Sequence, residues 1–223
     1  MCVDKRLNYN GVRFDLSFEV ISTEIREAIA EEWYEAHEAR LIEEYLPPAT
    51  DVIELGAGIG YVSCVIDSVV ADERTQIAVE PNPAVIPVLK RTKQLNKADY
   101  TIYEYAYAST TNSVALTLTD AFWTATTHTD QRDVGSIQAV SLETICEQQD
   151  LTTFSLIVDI EGAEYELFCT ELPLLEKRCR LLIVEYHDTN PYSTEYTDEL
   201  DRSAFELVDG IEDVCVYRNT RFD

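Results

Sequence analysis

The stretch Asp51-Val52-Ile53-Glu54-Leu55-Gly56-Ala57-Gly58-Ile59-Gly60-Tyr61 decides the fold. Its first half is a short apolar run of the kind expected for a strand covered on both faces. Its second half is a GxGxG turn leading into an apolar stretch with helical spacing over residues 61–70. Glycines suit such a turn because the chain must bend tightly and a ligand must approach the backbone without a Cβ in the way. The dinucleotide fingerprint GxGxxG would need glycine at position 61, where Tyr61 stands, so a pyrophosphate is not implied. Glu54, just before the turn, suits a cationic amino group rather than a phosphate.

Outward from this turn, the next apolar run (residues 76–80, QIAVE) ends in Glu80, followed by Pro81 and Asn82. A carboxylate at the end of the second strand of a nucleotide-binding sheet can accept both hydroxyl hydrogens of a ribose. A glycine turn with Glu54 on one side and Glu80 on the other therefore fits adenosine joined to an amino acid, which is S-adenosylmethionine.

The rest of the chain supports an α/β reading. Val12, Phe14, Leu16 and Phe18 alternate as in a half-buried strand, and from Ser22 the residues Ile25, Ile29, Trp33 and Ala36 predict one helix that Pro47 and Pro48 stop. Pro81 and Pro83 are expected to open a helix carrying Lys90, Arg91 and Lys93. Residues 100–106 and 113–119 read as β, and residues 154–160 and 180–186 as strands covered on both faces. A helix is expected from about Ala163 to Cys169, and two closing strands near the C-terminus. Strands alternating with helices predict a Rossmann-like, doubly wound, mostly parallel sheet, with ligand chemistry at the strands' carboxyl ends. Residues 1–48 form a strand-and-helix cap in this reading, and residues 49–223 the S-adenosylmethionine-binding domain.

The turn resembles the first motif of class I S-adenosylmethionine-dependent methyltransferases, over residues from about 50 to 190. That resemblance implies that Glu54, Gly56, Ala57, Gly58 and Gly60 hold the methionyl part, that Glu80 holds the ribose, and that Glu104, Tyr105 and Ala106 lie beside the adenine. The run Asp159-Ile160-Glu161-Gly162-Ala163-Glu164 resembles, more specifically, the D-x-E-G-x-E segment of FkbM-type methyltransferases. Residues 141–146 (SLETIC) and the strand ending Glu185-Tyr186-His187 are similar to that family's pattern too. The resemblance implies methylation of a hydroxyl on a sugar, glycan or related small metabolite. Methylation of nitrogen, of protein or of RNA is the alternative within catalysis, and a non-catalytic S-adenosylmethionine-binding module is the alternative outside it.

Methyl transfer is an in-line displacement, so the site must align the acceptor, remove its proton and tolerate a positive charge turning neutral. Asp159, closest to the strand end, is the first candidate base and Glu161 the second. His187, on the neighbouring strand, is a rival with an ordinary pKa better placed for the task. Structural roles stand beside these: Glu161 as a helix cap, Glu164 and Glu166 as acids at a helix N-terminus, and His187 as a hydrogen-bonded structural histidine. Asp159, Glu161, His187 and Asp188 also offer ligands to a divalent ion, as in some catechol-type methyltransferases, although no metal is favoured.

Composition limits the partners. With 17 Lys and Arg against 42 Asp and Glu, the net charge is −25, which disfavours nucleic acids and anionic membranes. Acids spread through the whole chain, with Lys scarce, are expected of a protein from a saline cytoplasm, where salt screens self-repulsion. The six cysteines never reach CxxC spacing and are expected as buried thiols. No apolar run is long enough to span a membrane, and the N-terminus lacks a signal-peptide apolar stretch, so a cytoplasmic location is expected. The oligomeric state is left open. Asn190-Pro191-Tyr192 reads as a turn, Lys90, Arg91, Lys93 and Lys97 as an ion-paired surface, and His37 and His128 as surface residues. The segments 119–136 and 188–201 are expected to shape the acceptor pocket.

Overall fold

A computed structural model describes residues 6–117, 133–187, 200 and 202–222. The expected strand-turn-helix unit is β3 (Val52–Leu55) followed by α3 (Tyr61–Val69). Seven strands form the main sheet in the order β11-β12-β10-β9-β3-β4-β5. Five of them, β5 (Thr101–Tyr103), β4 (Gln76–Val79), β3, β9 (Phe154–Val158) and β10 (Cys179–Glu185), run parallel. The closing pair, β11 (Phe205–Ile211) and β12 (Val214–Asn219), adds antiparallel to β10 through β12.

Alternation along the central strands builds two cores. Val52, Ala78 and Ile157 face one layer, while Ile53, Leu55, Ile77, Val79, Leu156 and Val158 face the other. The first layer is covered by a hairpin of β1 (Arg6–Tyr9) and β2 (Val12–Asp15) and by α1 (Thr23–Ala30), α2 (Ala36–Tyr45), α3 and α4 (Ile86–Asn96). The second is covered by α5 (Leu142–Gln148) and α6 (Glu164–Arg178). Both faces of the central strands β3, β4 and β9 are therefore dry, which is why their sequences are largely apolar runs. The result is a Rossmann-like class I methyltransferase fold with the carboxyl ends of β3, β4 and β9 side by side. Among the described residues, no helix is long and apolar enough to cross a membrane.

Several local expectations change. The N-terminal helix is two helices, because Glu32 (φ 63°) and Glu35 (φ 46°) take left-handed backbone where no glycine announces it. The break sends Trp33 to solvent, 59% exposed, and packs Tyr34 against Tyr61, which in turn stacks on Tyr9. Pro81 and Pro83 precede α4 rather than open it: the Asn82 side chain accepts from Ala84 N at 3.0 Å, and helix begins at Ile86. The β-rich stretch 100–106 is divided, with β5 in the main sheet and β6 (Ala106–Tyr107) in a small sheet of order β6-β8-β7. Here β7 is Ser113–Thr117 and β8 is Asp133–Val140; residues 133–136, expected in a loop, are strand. The apolar residues of β8, Val134, Ile137, Ala139 and Val140, do not alternate strictly, so the strand pattern is weak in the sequence.

Helix α6 continues past Cys169 to Arg178 in spite of Pro173, since Leu167, Phe168, Glu171 and Leu175 carry one buried face through it. Among the described cysteines, Cys64, Cys146 and Cys179 are buried as expected, whereas Cys169 is exposed. His128, Asp188, the segment 190–192 and most of the two segments expected to shape the acceptor pocket lie outside the described residues.

Candidate active site

The turn after β3 and the end of β4 are joined by Glu80. Its Oε2 accepts from Gly58 N at 2.9 Å and its Oε1 from Asn82 N at 2.7 Å. Burial outweighs these two hydrogen bonds and pushes the carboxyl up to about 7. Each oxygen retains a second lone pair for a ligand.

The glycines divide the labour. A Cβ on Gly56 (φ 90°) would stand 1.6 Å from the carbonyl oxygen of Asp159, so this glycine lets the β3 turn meet the β9 turn. A Cβ on Gly60 would stand 2.7 Å from Leu89 Cδ1, which makes Gly60 a packing position against α4. Gly58 alone faces open space, where an added Cβ would meet nothing nearer than Tyr34 Oη at 3.8 Å.

These turns border an open crevice at the carboxyl ends of the strands, where ligands bind in such sheets. Of the expected cofactor residues, Gly56, Gly58, Glu80, Pro81, Asn82 and Ala106 line it, together with Asp159 and Glu161. Ala57 and Gly60 are buried behind it. Glu104 and Tyr105 are not on its wall: Glu104 pairs with Lys90 on the half-exposed surface, and Tyr105 packs against Tyr103. That side of the crevice is instead walled by Ala106, Tyr107, Val85 and Val114. The chain leaves the main sheet between Tyr103 and Ala106, which no spacing rule in the sequence conveys.

Glu54 is buried beneath the turn. Ser63 Oγ donates to its Oε2 at 2.6 Å, but its Oε1 is sealed from solvent without a hydrogen-bond partner. Burial pushes this carboxyl up to about 8. It lines a small cavity with Glu35, Glu38, Gly56, Asp159 and Glu185. An unpartnered buried carboxylate oxygen calls for a cationic donor, as a methionyl ammonium would be. The open backbone at Gly58, the poised oxygens of Glu80 and this orphan acid fit S-adenosylmethionine.

At the end of β9, Asp159 N donates to Leu55 O at 2.9 Å, which fixes the acid beside the glycine turn. Glu161 follows in left-handed backbone, φ 53°. Glu161 does not cap α6: the N-cap is Ala163, without a side-chain bond, and Glu164 Oε1 accepts instead from Ile160 N at 3.3 Å. Glu166 accepts from Ser109 N and Oγ, tying α6 to the turn after β6.

His187 lies among acids. Its Nδ1 is 3.1 Å from Glu164 Oε1, and its Nε2 is 3.5 Å from Asp159 Oδ1, 3.5 Å from Glu161 Oε2 and 3.8 Å from Glu185 Oε1. Burial opposes its charge, but the hydrogen bond to Glu164 and the charges of Asp159 and Glu161 outweigh it, pushing the imidazole up to about 10. These neighbours favour its protonated form. Burial raises Asp159 well above the carboxylate range; His187 opposes this and Glu161 adds to it. Glu185, buried beside Asp159 and sharing a hydrogen bond with Glu38, is pushed up to about 10.

Asp159 and Glu161 also face a second pocket, walled by Trp33, Tyr34, Glu38, Glu185 and His187. Tyr34 and Glu35 border both spaces. These two residues were missed by sequence reasoning, which named Glu164 only as an acid at a helix N-terminus and Glu185 only as part of a strand end. Nothing local marks Tyr34 and Glu35, which a continuous helix would have carried elsewhere.

No curated protein matches the chain significantly. Among solved structures, the fold is similar to that of a protein from Pyrococcus horikoshii described as a transferase, at 13% identity over 97% of this chain and 72% of that one, TM-score 0.52. An rRNA methylase from Streptococcus thermophilus is similar at 9% identity over 81% and 93%, TM-score 0.51. A TehB-like S-adenosylmethionine-dependent methyltransferase from Corynebacterium glutamicum is similar at 11% identity over 88% and 94%, TM-score 0.50. At such identities the likeness concerns the fold alone. Residues 54–211 match the methyltransferase FkbM domain, a span that runs from Glu54 through the crevice and the His187 cluster into β11. The chain therefore belongs to the FkbM methyltransferase family and is an S-adenosylmethionine-dependent methyltransferase.

Proposed function

We propose that this enzyme methylates a hydroxyl oxygen of a sugar, glycan or related small metabolite. The observation that carries the reading is that Asp159 and Glu161 line two adjoining pockets at once, so an acceptor in one meets a cofactor in the other at these carboxylates. Glu80 and Gly58 hold the ribose, Glu54 the amino end, and Ala106, Tyr107 and Val114 flank the adenine. When bound, S-adenosylmethionine supplies an electrophilic methyl carbon on a sulfonium, which becomes a neutral thioether as the new C–O bond forms.

Asp159 accepts the hydroxyl proton, and Glu161 orients the oxygen that loses it. Trp33, exposed at the second pocket, offers a flat apolar face to a sugar ring, while the neighbouring carboxylates accept its hydroxyl hydrogens. The same acidic lining works against a nucleic-acid acceptor. Residues 1–48 act as a cap that supplies Trp33, Tyr34, Glu35 and Glu38 to the wall of this pocket. A saline cytoplasm is the setting that best screens a net charge of −25.

Calorimetry with S-adenosylhomocysteine tests the crevice, and transfer of a labelled methyl group to hydroxyl-bearing and amine-bearing acceptors tests the chemistry. Asp159→Asn is expected to lower turnover at least about tenfold while product affinity stays within about threefold. Unchanged turnover would remove Asp159 as the base. Transfer confined to amines would overturn the hydroxyl reading, and binding with no transfer to any acceptor would favour a non-catalytic module.

A further inference from the structure

The donor atoms of Asp159, Glu161 and His187 lie within 4.8 Å of one another. His187 Nε2 is 3.5 Å from an oxygen of each acid, longer than a good hydrogen bond and wide enough for an ion between them. Asp159 Oδ1 is sealed from solvent and has no hydrogen-bond partner.

On the far side of the ring, Glu164 is wholly buried, and its Oε1 is 3.1 Å from Nδ1. Glu164 thus occupies the Nδ1 side of the ring, which leaves Nε2 facing Asp159 and Glu161. A buried carboxylate behind one ring nitrogen is the arrangement that orients histidine ligands toward metals. Glu164 Oε2 is itself buried and unpartnered. A triangle of donors with these sides sets an ion roughly 2.0–2.4 Å from each, the distance range of Zn²⁺ and Mg²⁺ ligation.

We propose that Asp159, Glu161 and His187 hold one divalent cation of the Mn²⁺ type at the junction of the two pockets. Two carboxylates and an imidazole make a mixed oxygen and nitrogen set, which suits such an ion better than Ca²⁺. On binding, the ion takes the place of the Nε2 proton. Three protein donors leave coordination positions open toward the second pocket, which all three residues line. The site's role, though not its existence, rests on the hydroxyl reading: an acceptor oxygen at an open position becomes more acidic and gives its proton to a neighbouring carboxylate as the methyl arrives.

Titration of the full chain with Mn²⁺, followed by loss of the free-ion paramagnetic resonance signal, tests the site without relying on turnover. One ion per chain is expected, with affinity lowered at least tenfold by Glu161→Gln and by His187→Gln. Circular dichroism and S-adenosylhomocysteine calorimetry verify that each variant is folded. His37→Ala, which alters the exposed cluster of His37, Glu212 and Asp213, is expected to keep the ion. Failure of the wild type to bind Mn²⁺, binding that survives both cluster substitutions, or loss of the ion in His37→Ala would overturn the proposal. If S-adenosylhomocysteine binds and Mn²⁺ does not, the metal site fails and the cofactor crevice stands; if S-adenosylhomocysteine itself does not bind, the crevice reading fails.

Discussion

Glu80 and Gly58 are locked together by a 2.9 Å hydrogen bond from the Gly58 N–H to the Glu80 carboxylate, so the end of the second strand sets the shape of the first strand's turn. The same carboxylate receives Asn82 N, which leaves its outward lone pairs aimed by the backbone rather than by a mobile side chain.

Replacing this acid is therefore expected to weaken the cofactor site in charge and in geometry. Glu80→Gln should reduce S-adenosylhomocysteine affinity about tenfold or more, given roughly 1.5–3 kcal/mol for a hydrogen bond to a charged group. The melting temperature should also fall by a few degrees, because the amide oxygen can still accept from Gly58 N while its NH2 is left facing the Asn82 N–H. Calorimetry reads the first effect and a thermal melt the second. Undiminished affinity would take Glu80 out of the ribose site.

Gly56 and Gly11 both have left-handed backbone, at φ 90° and 85°, but differ in surroundings. A methyl on Gly56 strikes the Asp159 carbonyl, whereas one on Gly11 meets nothing within 4 Å. Gly11→Ala should cost only about 1–2 kcal/mol of backbone strain. Gly56→Ala should cost about 4 kcal/mol or more, or prevent folding. Urea unfolding of the two variants makes the comparison, and equal losses would mean that the β3 and β9 turns do not meet as described.

Burial sets a pH dependence. Glu54 and Glu80 rise from an ordinary 4.5 to about 8 and about 7, so the folded state favours their protonated forms. Their stabilisation is complete below the unfolded value and is lost as pH rises through 7 and then 8. The cofactor-free protein, in about 1 M KCl to screen the surface charge, should therefore melt lower at pH 8.5 than at pH 6. Glu54→Gln should flatten part of that fall. A melting temperature that climbs over this interval contradicts the buried acids.

The net charge of −25 has its own signature. Raising KCl from about 0.05 M to about 1 M shortens the Debye length from over 10 Å to roughly 3 Å and weakens repulsion among surface acids. The melting temperature at pH 6.5 should rise by several degrees, with most of the gain at the low-salt end. A flat response would show that the acids are already compensated.

Much of the site was legible because the signals are local. Glu54, Gly58 and Glu80 occupy fixed offsets from strand ends, and a strand that is dry on both faces announces its own end by the first polar residue after it. Glu104 stands off the crevice wall for the opposite reason. Its offset after the third strand is right, but the chain changes sheets there and an ion pair with Lys90 draws the side chain outward. His187 was legible as a candidate, and its protonation was not, because that follows from Glu164, a residue 23 positions away that α6 carries beneath the ring.

The alternation of strands and helices, the glycine turn and the acids at the ends of β3, β4 and β9 were determined by the sequence alone. Apolar periodicity and turn chemistry operate over a few residues, and they dictate a doubly wound sheet wherever it sits. Only the tertiary structure decided that the N-terminal helix breaks to deliver Tyr34 and Glu35, and that Glu161 turns through φ 53° toward an imidazole. Those conformations are unfavourable to the residues that adopt them, and they persist because distant packing holds them: Tyr34 on Tyr61, and His187 between Glu164 and Asp159.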